Sequence, residues 1–440
     1  MAVDFHDLTA IADTLKYAYG TGLANQFADE KTTYNQFPKS PRQPRGLGYV
    51  FGIRNARTQS VGARRESEIL PDPLSGKYDQ GLIVPRYVYG SLRLTGPAIE
   101  AAKGDYAAFV NSMTDSVNDI YQSMIRDLNR QSCGDGFGLL GTLSSASDAV
   151  TVSGSTTWTI TCNNDLGVRR LIPGMIVDFF DSTAIDESSV ASRISSVNYA
   201  AKTAEMEPND GTYKTNHPIV AARSYTITTA AVPTGAFIVR VGAREANHAT
   251  TNTPVEMTGL DGIYDDGTLL ATFEGVTIAT QPQWAANVLS NSGVNRELTI
   301  DLMLQALDLT RVQSGQNVRT MRMGLGQRRK YANLLMPDVR FAPTTLLGGY
   351  ESLTFSAGDG AVQMIIDPDL APNKIYCEPN GIVQKYERTS LGWGNLDQQI
   401  HQRAGYDEWD MFMRLYANLG CEQRNCLTLL KDLVEPNLYT

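Results

Sequence analysis

Nine apolar residues, Ile99, Ala102, Tyr106, Phe109, Met113, Val117, Ile120, Met124 and Leu128, follow one another at steps of three or four. That spacing puts all of them on one face of an α-helix. A helix of about thirty residues is a rod ~45 Å long, whereas a globular helix typically has about a dozen residues. Pro97 stands at its start, where the missing N–H costs nothing, and Gly134 follows its end. The polar face is acidic, with Glu100, Asp105, Asp115, Asp119 and Asp127 set against Lys103 and Arg126. Any fold proposed for this chain has to use such a rod and hide its stripe.

The segments before the rod do not build a core by themselves. Phe5, Leu8, Ile11, Leu15 and Tyr19 repeat at helical spacing, which predicts a short amphipathic helix over 1–20. From Gly22 to Arg45 the chain is polar and punctuated by Pro38, Pro41 and Pro44, an extended arm rather than a packed element. GLGYVFGIRNAR and GLIVPRYVYGSLRLTG carry strand-forming residues, and Pro71, Asp72, Pro73, Ser75 and Gly76 between them read as a turn. Together they predict one long β-hairpin over 46–95, a ribbon too thin to be stable without another surface. Seven basic residues, Lys39, Arg42, Arg45, Arg54, Arg57, Arg64 and Arg65, lie between 39 and 65 with no Asp or Glu among them.

Beyond the rod, CGDGFGLLG satisfies G-x-G-x-x-G through Gly136, Gly138 and Gly141. A dinucleotide loop needs a strand before it and a helix after it, and here the order is reversed, so a tight connection is the reading. TVSGSTTWTITCNN, RRLIPGMIVDFFD, ASRISSVNYAAKTAEMEP and PIVAARSYTITT are short strands divided by turns, which predicts an inserted small β-barrel or sandwich over 145–228. An α+β pattern then resumes. Arg296 to Gln313 reads as a helix with Thr299 as N-cap, Leu302, Leu309 and Val312 as buried candidates, and Gly315 after it. GQRRKYANLL reads as a second helix, and VQMIIDPDLAP, NKIYCEPNGIVQKYER and DEWDMFMRLYANLGCEQRNCLTLL as final strands.

Composition removes several function classes. With 38 basic and 47 acidic residues the 440-residue chain has a net charge of −9, unsuited to a protein whose main task is gripping phosphates. No run approaches the ~20 apolar residues of a membrane span, and MAVDFHDLTAIADTL has the pattern of neither a signal nor a transit peptide. Five scattered cysteines without a C-x-x-C pair, and four isolated histidines, fit buried thiols better than a disulfide framework or a zinc site. H-E-x-x-H, G-x-S-x-G and a Walker lysine are all absent. No cofactor, metal site or catalytic residue is expected.

The order of parts, namely arm, long hairpin, spine helix from Pro97 to Arg130, α+β body and a closing MRLYANLGCEQRNCLTLL, resembles the major capsid proteins of tailed bacteriophages, the Hong Kong 97 fold. VEMTGLDGIYDD leading into QPQWAANVLSNSGVNRELTIDLMLQAL looks like that family's apical domain. The resemblance implies an N-terminal arm (1–45), an extended hairpin loop (46–96), the spine helix and start of a peripheral domain (97–144), the β insertion (145–228), an apical domain with connecting strands (229–372) and final peripheral strands (373–440). It further implies a non-enzymatic shell protein assembling into hexamers and pentamers around double-stranded DNA in the host bacterial cytoplasm and residing in the virion. A portal is the partner implied, with scaffolding either a separate chain or absent and a cement protein left open. About 45 residues precede the hairpin, too few for the scaffolding domain of some members. Some members crosslink a hairpin lysine to a neighbour's asparagine; Lys77 is available here, but no motif marks a partner. An encapsulin, a cellular cargo shell of the same fold, is the alternative.

On that reading Arg42, Arg45, Arg54, Arg57, Arg64 and Arg65 dock on Glu100, Asp105, Asp115, Asp119 and Asp127 of a neighbour's spine helix, since complementary patches set register. Contact of the same run with DNA, or a merely solvated charge run, are the competing readings.

Overall fold

The computed structural model describes residues 32–58, 60–72, 74–97, 112–146, 150–152, 155–180, 192–207, 236–243, 254–335, 354–356, 360–394, 401–402 and 405–435. The expected helix over 1–20, the first half of the apolar stripe and the segment PIVAARSYTITT lie outside them. Two compact units divide the chain. The smaller draws on Tyr89–Ile125 and Gly392–Arg414, the larger on Glu30–Val88, Arg126–Leu391 and Leu415–Thr440.

In the smaller unit the strand Arg86–Thr95 pairs with the strand Glu408–Cys421. Arg93 clasps Asp410 through Nε and Nη2 at 2.6 and 3.2 Å, and the Gly96 N–H donates to the Asp407 carbonyl at 2.8 Å. The described part of the spine helix is Ser112–Cys133. Met124 comes down on Gly90, where a Cβ would stand 2.7 Å from its sulfur, so the missing side chain lets the helix approach the strand. Met124 and Leu128 are buried and Ile120 half-buried, which bears out the C-terminal end of the stripe.

The larger unit holds three sizeable apolar clusters. One lies under a mixed six-stranded sheet of Asn287–Leu289, Thr428–Leu430, Ile375–Glu378, Thr320–Met323, Ala361–Ile366 and Thr354–Ser356, in that order. Met303, Ala306 and Tyr331, from the helices Ile300–Ser314 and Leu325–Leu335, fill it. The first of these helices starts and stops as its sequence dictates. Thr299 accepts the Leu302 N–H at 3.2 Å, and Gly315 ends it at φ +71°. Its buried face differs from the expected one. Met303, Ala306 and Thr310 point inward, Leu302 and Leu309 are half-buried, and Val312 is 80% exposed. Thr310 can face inward because its hydroxyl is satisfied by the Ala306 carbonyl and by Thr428.

The second cluster belongs to the β insertion. Leu139–Ala146, Phe237–Arg240, Ile176–Phe180, Ser192–Asn198, Thr203–Glu207 and Ser155–Cys162 pair in that order, and the last pairs back to the first. Six antiparallel strands therefore close into a barrel around Leu143, Ile160, Val177, Phe179, Ile194 and Ile238. It reaches past the expected 145–228 on both sides, because its closing strands come from either flank. A short helix, Asp165–Arg169, is seated on it where Gly141 and Gly167 meet; a Cβ on Gly141 would lie 2.7 Å from the Gly167 Cα. The connection before the barrel is the tight turn expected of CGDGFGLLG, with Gly136 and Gly138 at φ +90° and +73°.

The third cluster is where the arm and hairpin sit, and it corrects the reading of both as coreless. Thr32–Gln36 is a single helical turn, and Tyr34 and Phe37 are buried. Pro38 to Ser40 then runs beside Val383–Trp393, with Ser40 and Lys385 exchanging backbone bonds with Lys385 and Pro38 at 2.9 Å each. The Arg322 guanidinium lies over the Phe37 ring at 4.4 Å and donates to Gln36 Oε1 at 3.0 Å. All five cysteines are buried and free; burial raises the pKa of each thiol.

Candidate inter-subunit surfaces

The hairpin consists of Tyr49–Ala56 and Lys77–Ile83, antiparallel, with Phe51 opposite Gly81 and Ile53 opposite Asp79. The expected single second strand is broken at Val84–Pro85, since proline gives no N–H to a ladder; the sequence after it forms the separate strand Arg86–Thr95. Alternation sends Phe51, Ile53 and Ile83 inward and Val50, Gly52 and Arg54 outward. Phe51 lies over Gly81, where a Cβ would be 2.6 Å from a ring carbon, and its ring is 5.8 Å from that of Trp284. Ile83 fills the space above Gly420, and the Leu82 N–H donates to the Glu274 carbonyl at 2.7 Å. The hairpin's base is thus held by its own chain.

From Arg57 to Gly76 every described residue is exposed or half-exposed. The loop is nevertheless organised by its own side chains. Ser60 Oγ accepts the Leu74 N–H at 2.6 Å, Thr58 hydrogen-bonds the Leu74 carbonyl, and Arg64 Nε donates to the Ile69 carbonyl at 3.1 Å. Glu68 accepts the Arg65 N–H at 2.8 Å. Val61 and Ile69 are each 87% exposed and Leu70 79%, an apolar tip left uncovered by the described residues. Sequence reading passed over these residues, because single apolar side chains among turn formers carry no period.

The charged residues singled out in the sequence divide into two groups. Lys39 pairs with Glu387 at 2.6 Å, and Arg42 Nη1 reaches both Glu422 oxygens at 2.7 Å and the Tyr49 hydroxyl at 2.8 Å. Arg45, Arg54, Arg57, Arg64 and Arg65 form no ion pair among the described residues and face solvent. Folding also brings Glu66, Glu68, Asp72 and Asp79 onto the same ribbon, so the run of positive charge along the chain becomes a mixed surface in space.

On the spine helix Asp119 is exposed. Asp127 is engaged within its own chain, by Arg130 at 3.0 Å, Arg240 at 2.8 Å and Gln131 at 2.7 Å. Burial alone would raise its pKa; Arg130, Arg240 and Gln131 outweigh burial and hold the carboxyl below its ordinary range. Glu256 takes the other side of Arg130 at 2.7 Å and is itself raised by burial. Of the acidic side chains described on this helix, Asp127 is thus engaged within its own chain and Asp119 faces solvent. Glu100, Asp105 and the side chain of Asp115 lie outside the described residues.

No helix among the described residues is long and apolar enough to cross a membrane. No family model matches the sequence, and no curated protein matches it. Solved structures do match, over nearly the whole chain. The capsid asymmetric unit of cyanophage A-1(L) superposes with a TM-score of 0.55 at 11% identity, covering 96% of this chain and 98% of that one. The capsid of a native GTA particle superposes with a TM-score of 0.51 at 9% identity, covering 98% and 100%. The chain thus has the fold of phage capsid shell proteins. It is the Hong Kong 97 type that the order of its parts resembles, with a closed β-barrel inserted.

Proposed function

We propose that this chain is the major capsid protein of a tailed double-stranded DNA bacteriophage, self-assembling into the hexamers and pentamers of an icosahedral shell. The observation that carries the reading is the near-complete superposition on the cyanophage A-1(L) capsid protein. The exposed apolar tip of the hairpin supports it, since symmetric rings repeat one heterologous contact from copy to copy. The parts act as arm, extended loop, spine, insertion, apical and peripheral regions, with the divisions given by the sequence except that the insertion takes in its flanking strands Leu139–Ala146 and Phe237–Arg240. The protein is a structural component and not an enzyme. It is assembled in the host bacterial cytoplasm and joined there by a portal and a separate scaffolding or cement protein. Double-stranded DNA is enclosed without sequence preference, in keeping with the net charge of −9.

Between subunits, Arg45, Arg54, Arg57, Arg64 and Arg65 meet the acidic face of a neighbour's spine helix, on Asp119 with Glu100, Asp105 and Asp115. Electron microscopy of the expressed protein, alone and with scaffold, tests the reading. Rings or closed shells are expected, and a stable monomer that never assembles under either condition overturns it. Shells that form only around a cargo enzyme and never contain DNA would favour the encapsulin alternative.

A further inference from the structure

The four-residue turn Asp367-Pro368-Asp369-Leu370 is gripped from two sides. On one side is the arm. The Thr33 N–H donates to Asp367 Oδ2 at 2.8 Å, and the Tyr34 N–H donates to Asn129 Oδ1 at 3.0 Å. Asn129, on the spine helix, spends its Nδ2 on Asp367 Oδ2 at 3.1 Å and Asp369 Oδ2 at 2.9 Å. With a donor on Oδ1 and acceptors on Nδ2, the orientation of that amide is fixed. On the other side is the barrel. Arg169 Nη2 donates to the Pro368 carbonyl at 3.0 Å, and Arg170 Nη2 to the Asp369 carbonyl at 2.7 Å. Both arginines sit at the end of the short helix seated on the barrel.

The turn is closed on itself, for Asp367 Oδ1 accepts the Asp369 N–H at 2.8 Å and the Leu370 N–H reaches the Asp367 carbonyl at 3.3 Å. It can shift only as one piece. Thr33, Asn129 and Asp367 are each 0% exposed, so water cannot replace a bond that is lost there. Two docking contacts thus share one rigid element, and each fixes the position that the other requires.

We propose that this turn couples the seating of the β-barrel to the docking of the arm at Thr32–Phe37. Unseating the barrel loosens the arm's two amide bonds, and freeing the arm loosens the barrel's seat to the same degree, because coupling between two equilibria is reciprocal. Arg169 and Arg170 are positioning residues in this scheme. The coupling is a property of the single chain and does not rest on the shell reading.

Hydrogen exchange of the full-length chain, read at single amides, tests it. In R169A/R170A the Thr33 and Tyr34 amides are expected to exchange at least tenfold faster, while those of the helix Ile300–Ser314 keep their rates. In D367N the reverse effect is expected, with faster exchange at Gly167 and Arg170. Unchanged rates at Thr33 and Tyr34 in the first variant overturn the proposal. So does a uniform acceleration that includes Ile300–Ser314, which signals general destabilisation. If the double variant does not fold, R170K, which keeps the charge but not the forked donors, is read by the same criteria.

Discussion

The two ends of the hairpin are built from the same ribbon and hold together by different means. At the base, Phe51, Ile53 and Ile83 are buried against Trp284, Gly81 and Gly420 of the same chain. At the tip, Val61, Ile69 and Leu70 stand in solvent, and the backbone is shaped by Ser60, Thr58 and Arg64. The base satisfies what folding demands of a thin ribbon, which is a second apolar surface. The tip has a defined course and an apolar surface that no described residue buries. Stability should therefore be sensitive to the base and indifferent to the tip, and assembly should be sensitive to the tip.

The largest effect is expected at the base. Phe51→Ala removes the ring that covers Gly81 and leaves a cavity beside Trp284, at a cost of about 3–5 kcal/mol; denaturant unfolding of the unassembled chain measures it. A loss under 1 kcal/mol would erase the distinction between base and tip.

Glu274 gives a second test of the base, read through pH. Its carbonyl receives the Leu82 N–H, its Oε1 accepts the Cys421 N–H at 3.1 Å, and its Oε2 is buried with no hydrogen-bond partner among the described residues. Burial pushes its pKa up to about 8, only partly opposed by the Cys421 N–H and Arg424 and reinforced by Glu422. The folded state thus holds a proton that the unfolded state, with an ordinary glutamate near pH 4.5, has released. The contribution to stability is complete below pH 4.5, declines as pH rises and is lost above about 8. At about 1.4 kcal/mol per pH unit of displacement, the full amplitude is on the order of 5 kcal/mol. In Glu274→Gln that slope should vanish; a slope equal to the parent's would show that Glu274 is ionised in the folded chain.

At the tip the effect on folding is smallest. Ile69→Asp with Leu70→Asp should leave unfolding within about 0.5 kcal/mol of the parent and yet prevent shells, scored by electron microscopy. R64E/R65E, on the same loop, should do the same through charge. Normal particles from either variant would mean that the tip is not a contact.

How much of this was legible in the sequence depends on the range of the interactions involved. The strand character of Tyr49–Ala56, the Thr299 cap, the Gly315 stop and the end of the spine stripe at Leu128 are local, and the sequence shows them. The break at Pro85 was also written locally but was masked by the strand-forming residues on both sides. What pairs with what was not legible. The barrel's closure joins Leu139–Ala146 to Phe237–Arg240 across about a hundred residues, and no local pattern encodes that. Of the candidate contact residues, the sequence located the charges but not their partners. Arg42 and Asp127 look like free charges along the chain, but they are bound by Glu422 and Arg240, residues remote from them in sequence.

The barrel's closure has a consequence for crowding. A strand with an unpaired edge invites a second chain to pair with it, a hazard that grows when many identical copies are held side by side. Six strands joined into a ring offer no such edge, apart from the three-residue Val150–Val152, which is too short to template a neighbour. An insertion of this kind can be repeated side by side over a surface without its paired strands offering a backbone edge to the next copy.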